Sequence, residues 1–156
     1  GVGSVAVQLA AARGARVIGT ARPDNHEFIA GLGATPTTYG PGLPRRISAL
    51  GVREVDRALD VAGAGSLPEL IEITGDPTDV VTLADFTAVR HGVRVSTGRL
   101  GGEPDGSDGL AGASAVFAEG LFRIPVEAVF PLDQAAAAHT AAGAGSRQGK
   151  IALVMQ

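Results

Sequence analysis

The residues best placed for chemistry open the chain. Gly1-Val2-Gly3-Ser4-Val5-Ala6 is a glycine turn feeding a helical repeat. Such a turn suits a pyrophosphate, because glycine lets the backbone come close while unsatisfied N–H groups and the helix dipole favour negative charge. Taken alone, Gly-x-Gly-x-x-Ala is weak evidence and also describes a tight helix start with no ligand. The context adds weight. A short apolar strand centred on Val17-Ile18 follows and ends at Thr20, Ala21 and Arg22, where the adenosine ribose of a βαβ dinucleotide site would lie. A carboxylate there would bind a ribose 2′-hydroxyl, whereas a cation with hydroxyls suits a 2′-phosphate. Thr20 and Arg22 fit the second pattern. Arg22 also reads as a solvated loop arginine that Asp24 partly opposes.

Other chemistries find little support. Cysteine is absent, and His26, His91 and His139 lie far apart with no ligand spacing, so no metal site is expected. Asp85 reads as a helix cap, with catalysis the lesser alternative, and no residue stands out as an acid, base or nucleophile. Tyr39 is followed by Gly-Pro-Gly-Leu and the only lysine is Lys150, which sets aside a Tyr–Lys proton relay. The net charge is −3 and the basic residues are scattered apart from Arg45-Arg46, so nucleic acid is not an expected partner. No apolar stretch approaches the ~20 residues that span a bilayer, and the residues from Gly1 onward lack the basic-then-apolar pattern of a signal peptide. The expected setting is the cytoplasm, away from the membrane.

The elements that must position these residues follow from periodicity. The 156 residues have room for one domain. Helical spacing runs over 3–13, with Gly14 placed to end that helix in the left-handed conformation. Strands are predicted over 15–21, 55–61, 79–83 and 92–96, and a weaker one over 35–39 because Pro36 cannot donate to a ladder. Helices are predicted from Asp24 or Asn25 to near Gly33, over 44–50, and from a Ser66-Leu67-Pro68-Glu69 capping box through Ile73. The glycine-rich, acidic stretch 97–109 reads as a mobile loop. A helix over 110–122, a strand over 124–130, a helix over 133–142 and a strand over 150–155 complete the chain. Alternation of short strands with helices predicts an α/β fold, a doubly wound parallel sheet with its ligand at the strands' carboxyl ends.

Several segments together resemble the cofactor-binding half of the medium-chain dehydrogenases/reductases, in particular their zinc-independent, NADP-dependent quinone oxidoreductase branch. They are residues 1–10, Val17-Ile18-Gly19-Thr20-Ala21, Leu32-Gly33-Ala34, Asp60-Val61-Ala62-Gly63 and Gly149-Lys150-Ile151-Ala152-Leu153-Val154. The resemblance implies a Rossmann fold with NADP(H) as cofactor. It puts the amides of Val2, Gly3 and Ser4, behind Gly1, on the pyrophosphate. Thr20, Arg22 and Tyr39 would surround the 2′-phosphate, although Tyr39 equally suits an amphipathic ring finishing an edge strand. Ala62-Gly63 and Leu83-Ala84 would line the rest of the cleft. Residues 1–123 would form the nucleotide domain and 124–156 would return to the catalytic domain. The reaction implied is hydride transfer to a quinone or an α,β-unsaturated carbonyl, a small-molecule substrate, in a homodimer joined through the strand near 92–96.

The sequence departs from that family at Thr35-Pro36-Thr37-Thr38, at 75–86, and in lacking the substrate-side barrel and the first strand of the nucleotide domain. In the usual order that strand is central, so the sheet should divide into halves and uncover apolar faces. These residues are therefore expected to be the ordered or retained part of a longer polypeptide. A minor alternative has 150–155 swing into the vacant slot. Two other readings of function stand beside the main one: a non-catalytic nucleotide-binding or interaction module, and a fragment of a zinc-dependent alcohol dehydrogenase.

Overall fold

The structure is a computed structural model that describes residues 1–98, 106–144 and 148–155. Helix α1 (Val2–Ala12) begins directly at the glycine turn. It ends as its sequence predicts, with Gly14 at φ +81° donating its N–H to the Ala11 carbonyl at 2.9 Å. Strand β1 (Val17–Thr20) leads through a 3₁₀ turn (Pro23–Asn25) into the short α2 (His26–Ala30) and then β2 (Ala34–Thr37). Neither Asp24 nor Asn25 caps α2 with its side chain; Asn25 occupies the cap position without that bond.

Strands β1 and β2 run parallel, with Gly19 opposite Pro36 and Thr20 opposite Thr37. Pro36 is tolerated because β2 has a neighbour on one side only, so its missing N–H faces no partner strand. The chain continues through α3 (Leu43–Ala49), β3 (Ala58–Asp60), α4 (Leu67–Thr74), β4 (Val80–Thr82) and β5 (Arg94–Val95). Strand β3 is shorter than its apolar run, since only Ala58, Leu59 and Asp60 pair with Val80, Val81 and Thr82. The capping box expected at Ser66 does not form: Ser66 sits at the N-cap with no side-chain bond, and Pro68 in the first turn starts the helix instead. The core under β3, β4 and β5 is Leu67, Val80, Ala88 and Val93, with Ala58, Leu70, Ile71 and Val95 packed around it.

All pairing is parallel, as the α/β reading requires, but the sheet is divided. One part has the order β2-β1 and the other β3-β4-β5, with no ladder between β1 and β3 among the described residues. The expected division is therefore present. Leu59, in the middle of β3, is 46% exposed, as an apolar strand residue becomes when nothing covers it.

The expected mobile loop over 97–109 falls mostly outside the described residues. Its end is corrected, because α5 (Ser107–Ala118) begins before Leu110. After α5 come β6 (Val126–Pro131), a 3₁₀ turn, α6 (Ala135–Gly143) and β7 (Lys150–Val154). Strand β7 does not enter the gap beside β1; it pairs in parallel with β6, Val129 facing Ala152 and Phe130 facing Leu153. A strand reached through one short helix closes a small loop, which costs less entropy than threading a distant slot. Gln8 of α1 ties this last unit to the first, donating to the Arg123 carbonyl at 3.0 Å and accepting the Arg123 N–H at 3.0 Å. No helix among the described residues is long and apolar enough to cross a membrane.

Candidate functional site

Three groups of residues meet the carboxyl ends of the strands. The first is the glycine turn. A Cβ at Gly3 would lie 3.3 Å from the Val61 side chain, so the start of α1 stands against the residue that follows β3. Gly1 and Val2 are exposed and Gly3 is half-buried. Ser4 is buried, and its hydroxyl donates to the Gly1 carbonyl at 2.8 Å. The turn is held from inside, and the first N–H groups of α1 have no carbonyl a turn earlier to bond.

The second group lies at the ends of β1 and β2. Thr20 and Arg22 are exposed, and among the described residues neither side chain has a partner. The Ala21 N–H donates to the Thr37 carbonyl at 2.9 Å, which brings the residues after β1 beside those after β2. Tyr39 follows two residues later, its ring half-exposed. Its loop is fixed by a residue not among the predicted site residues. Arg46 of α3 donates to the Thr38 carbonyl through Nε (3.1 Å) and Nη2 (3.0 Å), to the Gly40 carbonyl (2.8 Å) and to the Pro41 carbonyl (2.8 Å). Its charge thus stands among backbone carbonyls without a carboxylate, near the end of β2. Only the Arg45-Arg46 pair hinted at it.

The third group is the pair of loops after β3 and β4. Asp60 and Thr82 are partners in the ladder and end their strands. Both are buried, Thr82 completely. Thr82 Oγ1 donates to Asp60 Oδ2 at 2.7 Å, and Asp60 Oδ1 accepts the N–H groups of Ala62 and Gly63, each at 3.0 Å. The Thr82 hydroxyl in turn accepts the N–H groups of Ala84 (3.1 Å) and Asp85 (3.0 Å). Gly63 stands at φ +63°, and a Cβ there would meet the Ala84 carbonyl oxygen at 2.7 Å. Only glycine allows the two loops to come this close. Ala62, Leu83 and Ala84 are exposed beside it.

The sequence-predicted residues therefore fall into separate clusters. Gly1, Val2, Gly3 and Ser4 lie at the start of α1, Thr20, Arg22 and Tyr39 at the ends of β1 and β2, and Ala62, Gly63, Leu83 and Ala84 on the loop pair. The first and third clusters touch through Gly3 and Val61. Asp60, Thr82 and Arg46 were missed as site residues, although an acid three residues before a glycine at a strand end is a visible signal for Asp60.

Asp85 does not hold the cap position expected of it: Thr87 is the N-cap of the following 3₁₀ turn, with no side-chain cap bond, and Asp85 forms a local turn just before it. Its carboxylate accepts the Thr87 hydroxyl at 2.6 Å and the Thr87 N–H at 2.9 Å, at the start of the 3₁₀ turn Ala88–His91. These two bonds, the hydroxyl first, hold its pKa below the ordinary aspartate value.

Glycine backbone, the N–H groups of a helix start and an exposed arginine without a partner among the described residues make a donor set that fits a dinucleotide phosphate. A zinc ion fits poorly: cysteine is absent, and no three His, Cys, Asp or Glu side chains cluster among the described residues.

The sequence model of the family described as zinc-binding dehydrogenase matches residues 42–153. No curated protein sequence matches the chain. Among solved structures, the chain is similar to an NAD-dependent alcohol dehydrogenase, at 26% identity over 100% of this chain and 48% of that one, with TM-score 0.76. It is similar to the quinone oxidoreductase from Coxiella burnetii, at 25% identity over 97% of this chain and 48% of that one, with TM-score 0.70. An alcohol dehydrogenase superfamily protein from Novosphingobium aromaticivorans shares the fold at 23% identity and TM-score 0.78, covering 99% of this chain and 53% of that one. The chain spans about half the length of these structures.

Proposed function

Because the chain belongs to the zinc-binding dehydrogenase family, we propose that it is the NADP(H)-binding part of an oxidoreductase that reduces a quinone or an α,β-unsaturated carbonyl. Residues 1–123 form the nucleotide domain in this reading, and 124–156 return to a catalytic domain. The observation that carries it is the exposed glycine turn standing against the residue after β3, with Arg22 exposed after β1, the next strand in sequence. The N–H groups of Val2, Gly3 and Ser4 receive the pyrophosphate, and the helix dipole adds to their pull. Arg22, with Thr20, receives the 2′-phosphate through charge-assisted bonds, while Tyr39 covers the adenosine side.

The nicotinamide, when bound, supplies the hydride, and the protein supplies position and a dry cleft. Ala62, Gly63, Leu83 and Ala84 form the wall for that end of the cofactor. No described residue in the site is a convincing acid or base, so the protonation partner is assigned to none of them. A cytoplasmic homodimer belongs to the same proposal, with β5, the last strand of its sheet, as the pairing edge.

The test is consumption of NADPH by the full-length protein with a panel of quinones and enones, run beside the same panel with NADH. Turnover with NADPH and little with NADH is expected. Binding of NADPH without turnover on any member would favour the non-catalytic module instead. Equal use of both cofactors would remove the phosphate assignment.

A further inference from the structure

The loops after β3 and β4 share one hydrogen-bond system whose direction is forced. Thr82 Oγ1 accepts two backbone N–H groups, from Ala84 and Asp85, which fills its acceptor capacity. Its single hydrogen is then free only for Asp60 Oδ2, 2.7 Å away. The Asp60 carboxylate receives a donor at each of its three bonds, from Thr82, Ala62 and Gly63, as a carboxylate can at both oxygens and an amide cannot. The Leu83 N–H is also turned inward, to the Asp60 carbonyl at 2.9 Å.

The consequence is a surface of one polarity. The N–H groups of Ala62, Gly63, Leu83, Ala84 and Asp85 all bond to Asp60 or Thr82. Among the described residues no donor reaches the carbonyl oxygens of Ala62, Gly63, Leu83 or Ala84. These loops therefore have none of those N–H groups left to offer a ligand; apart from the Ala84 oxygen, which packs on Gly63, they offer carbonyl oxygens without a donor and the exposed apolar side chains of Ala62, Leu83 and Ala84. Such a wall welcomes a neutral ring bearing an N–H donor and rejects an anion, because an unpaired buried acceptor beside a negative charge is costly.

We propose that Asp60 and Thr82 are positioning residues that build this accepting wall and so select the neutral, amide-bearing end of the dinucleotide over a phosphate. The proposal rests on the dinucleotide reading above. Neither residue touches the ligand; each acts by turning loop amides away from it.

The experiment compares two probes on the full-length protein by calorimetric titration: NADPH, and 2′-phospho-ADP-ribose, which keeps both phosphate sites and lacks the nicotinamide. Thr82→Val keeps the side-chain volume and deletes the hydroxyl. It should weaken NADPH by about ten-fold or more while leaving 2′-phospho-ADP-ribose within about two-fold. Thr82→Ser, which restores the hydroxyl, should recover most of the loss. Asp60→Asn should resemble Thr82→Val, since its amide nitrogen would face a hydroxyl with no acceptor site left, and it carries the test if Thr82→Val does not fold. Equal weakening of both probes would mean a merely structural role and overturn the proposal, as would no change in either. Wild-type protein that binds neither probe would instead overturn the dinucleotide reading, and the proposal with it.

Discussion

The start of α1 and the loop pair after β3 and β4 stand side by side, Gly3 against Val61, yet they offer opposite chemistry. The first leaves backbone N–H groups without an intrahelical acceptor, because a helix start has no carbonyl to give them. The second turns five N–H groups inward onto Asp60 and Thr82. One surface donates and its neighbour accepts. A molecule with a diphosphate at its middle and a neutral amide-bearing ring at one end matches that polarity in order along its length. The lesson is that a cleft's preference is set by where backbone groups are spent, as much as by which side chains line it.

The sharpest way to break this contrast is through the glycines themselves. Gly63→Ala places a Cβ against the Ala84 carbonyl at a positive φ and should cost roughly 2–3 kcal/mol of stability, read as a lower denaturant midpoint with unchanged slope. Gly1→Ala, where a Cβ meets nothing within 4 Å, should stay within ~0.5 kcal/mol. A small effect at Gly63 would show that the loops do not need their close approach.

Next in size is the phosphate end. Arg22→Ala should lower NADPH affinity by about ten- to a hundred-fold and leave NADH nearly unchanged, the range expected for a charge-assisted bond. Titration with both cofactors checks it, and parallel losses would show Arg22 to be no reader of the 2′-phosphate. Arg46→Lys should have a smaller effect, about three- to ten-fold on NADPH, because one ammonium cannot span the carbonyls of Thr38, Gly40 and Pro41 that the guanidinium gathers. An unchanged affinity would separate the Tyr39 loop from cofactor binding.

The smallest effect concerns Asp85. Its folded pKa is lowered by the Thr87 hydroxyl and N–H, so the stability it adds is present above the ordinary aspartate value and is lost as pH falls through the lowered one. A carboxyl titration followed by NMR should find Asp85 below the ordinary value and Thr87→Val should move it back upward. A group titrating normally in both would remove this local turn from the account.

Much of the fold was legible. The helix at 3–13 with its Gly14 stop, the parallel strands and the division of the sheet all follow from periodicity, glycine chemistry and strand order. Boundaries were less so: β3 is limited to Ala58–Asp60 by its register with β4, and the apolar run gave no sign of where pairing would stop. The fate of 150–155 was also open, since an apolar strand carries no address and β6 won through proximity. The chain's own sequence determined where glycines and a cation recur, because these residue types have conformational or charge properties that need no partner. Tertiary structure alone decided that Asp60 and Thr82, 22 residues apart, become one hydrogen-bonded unit, and that Arg46 gathers the Tyr39 loop. A hydrogen bond is a property of two positions in space, and only the pairing of β3 with β4 brings the first of these into reach.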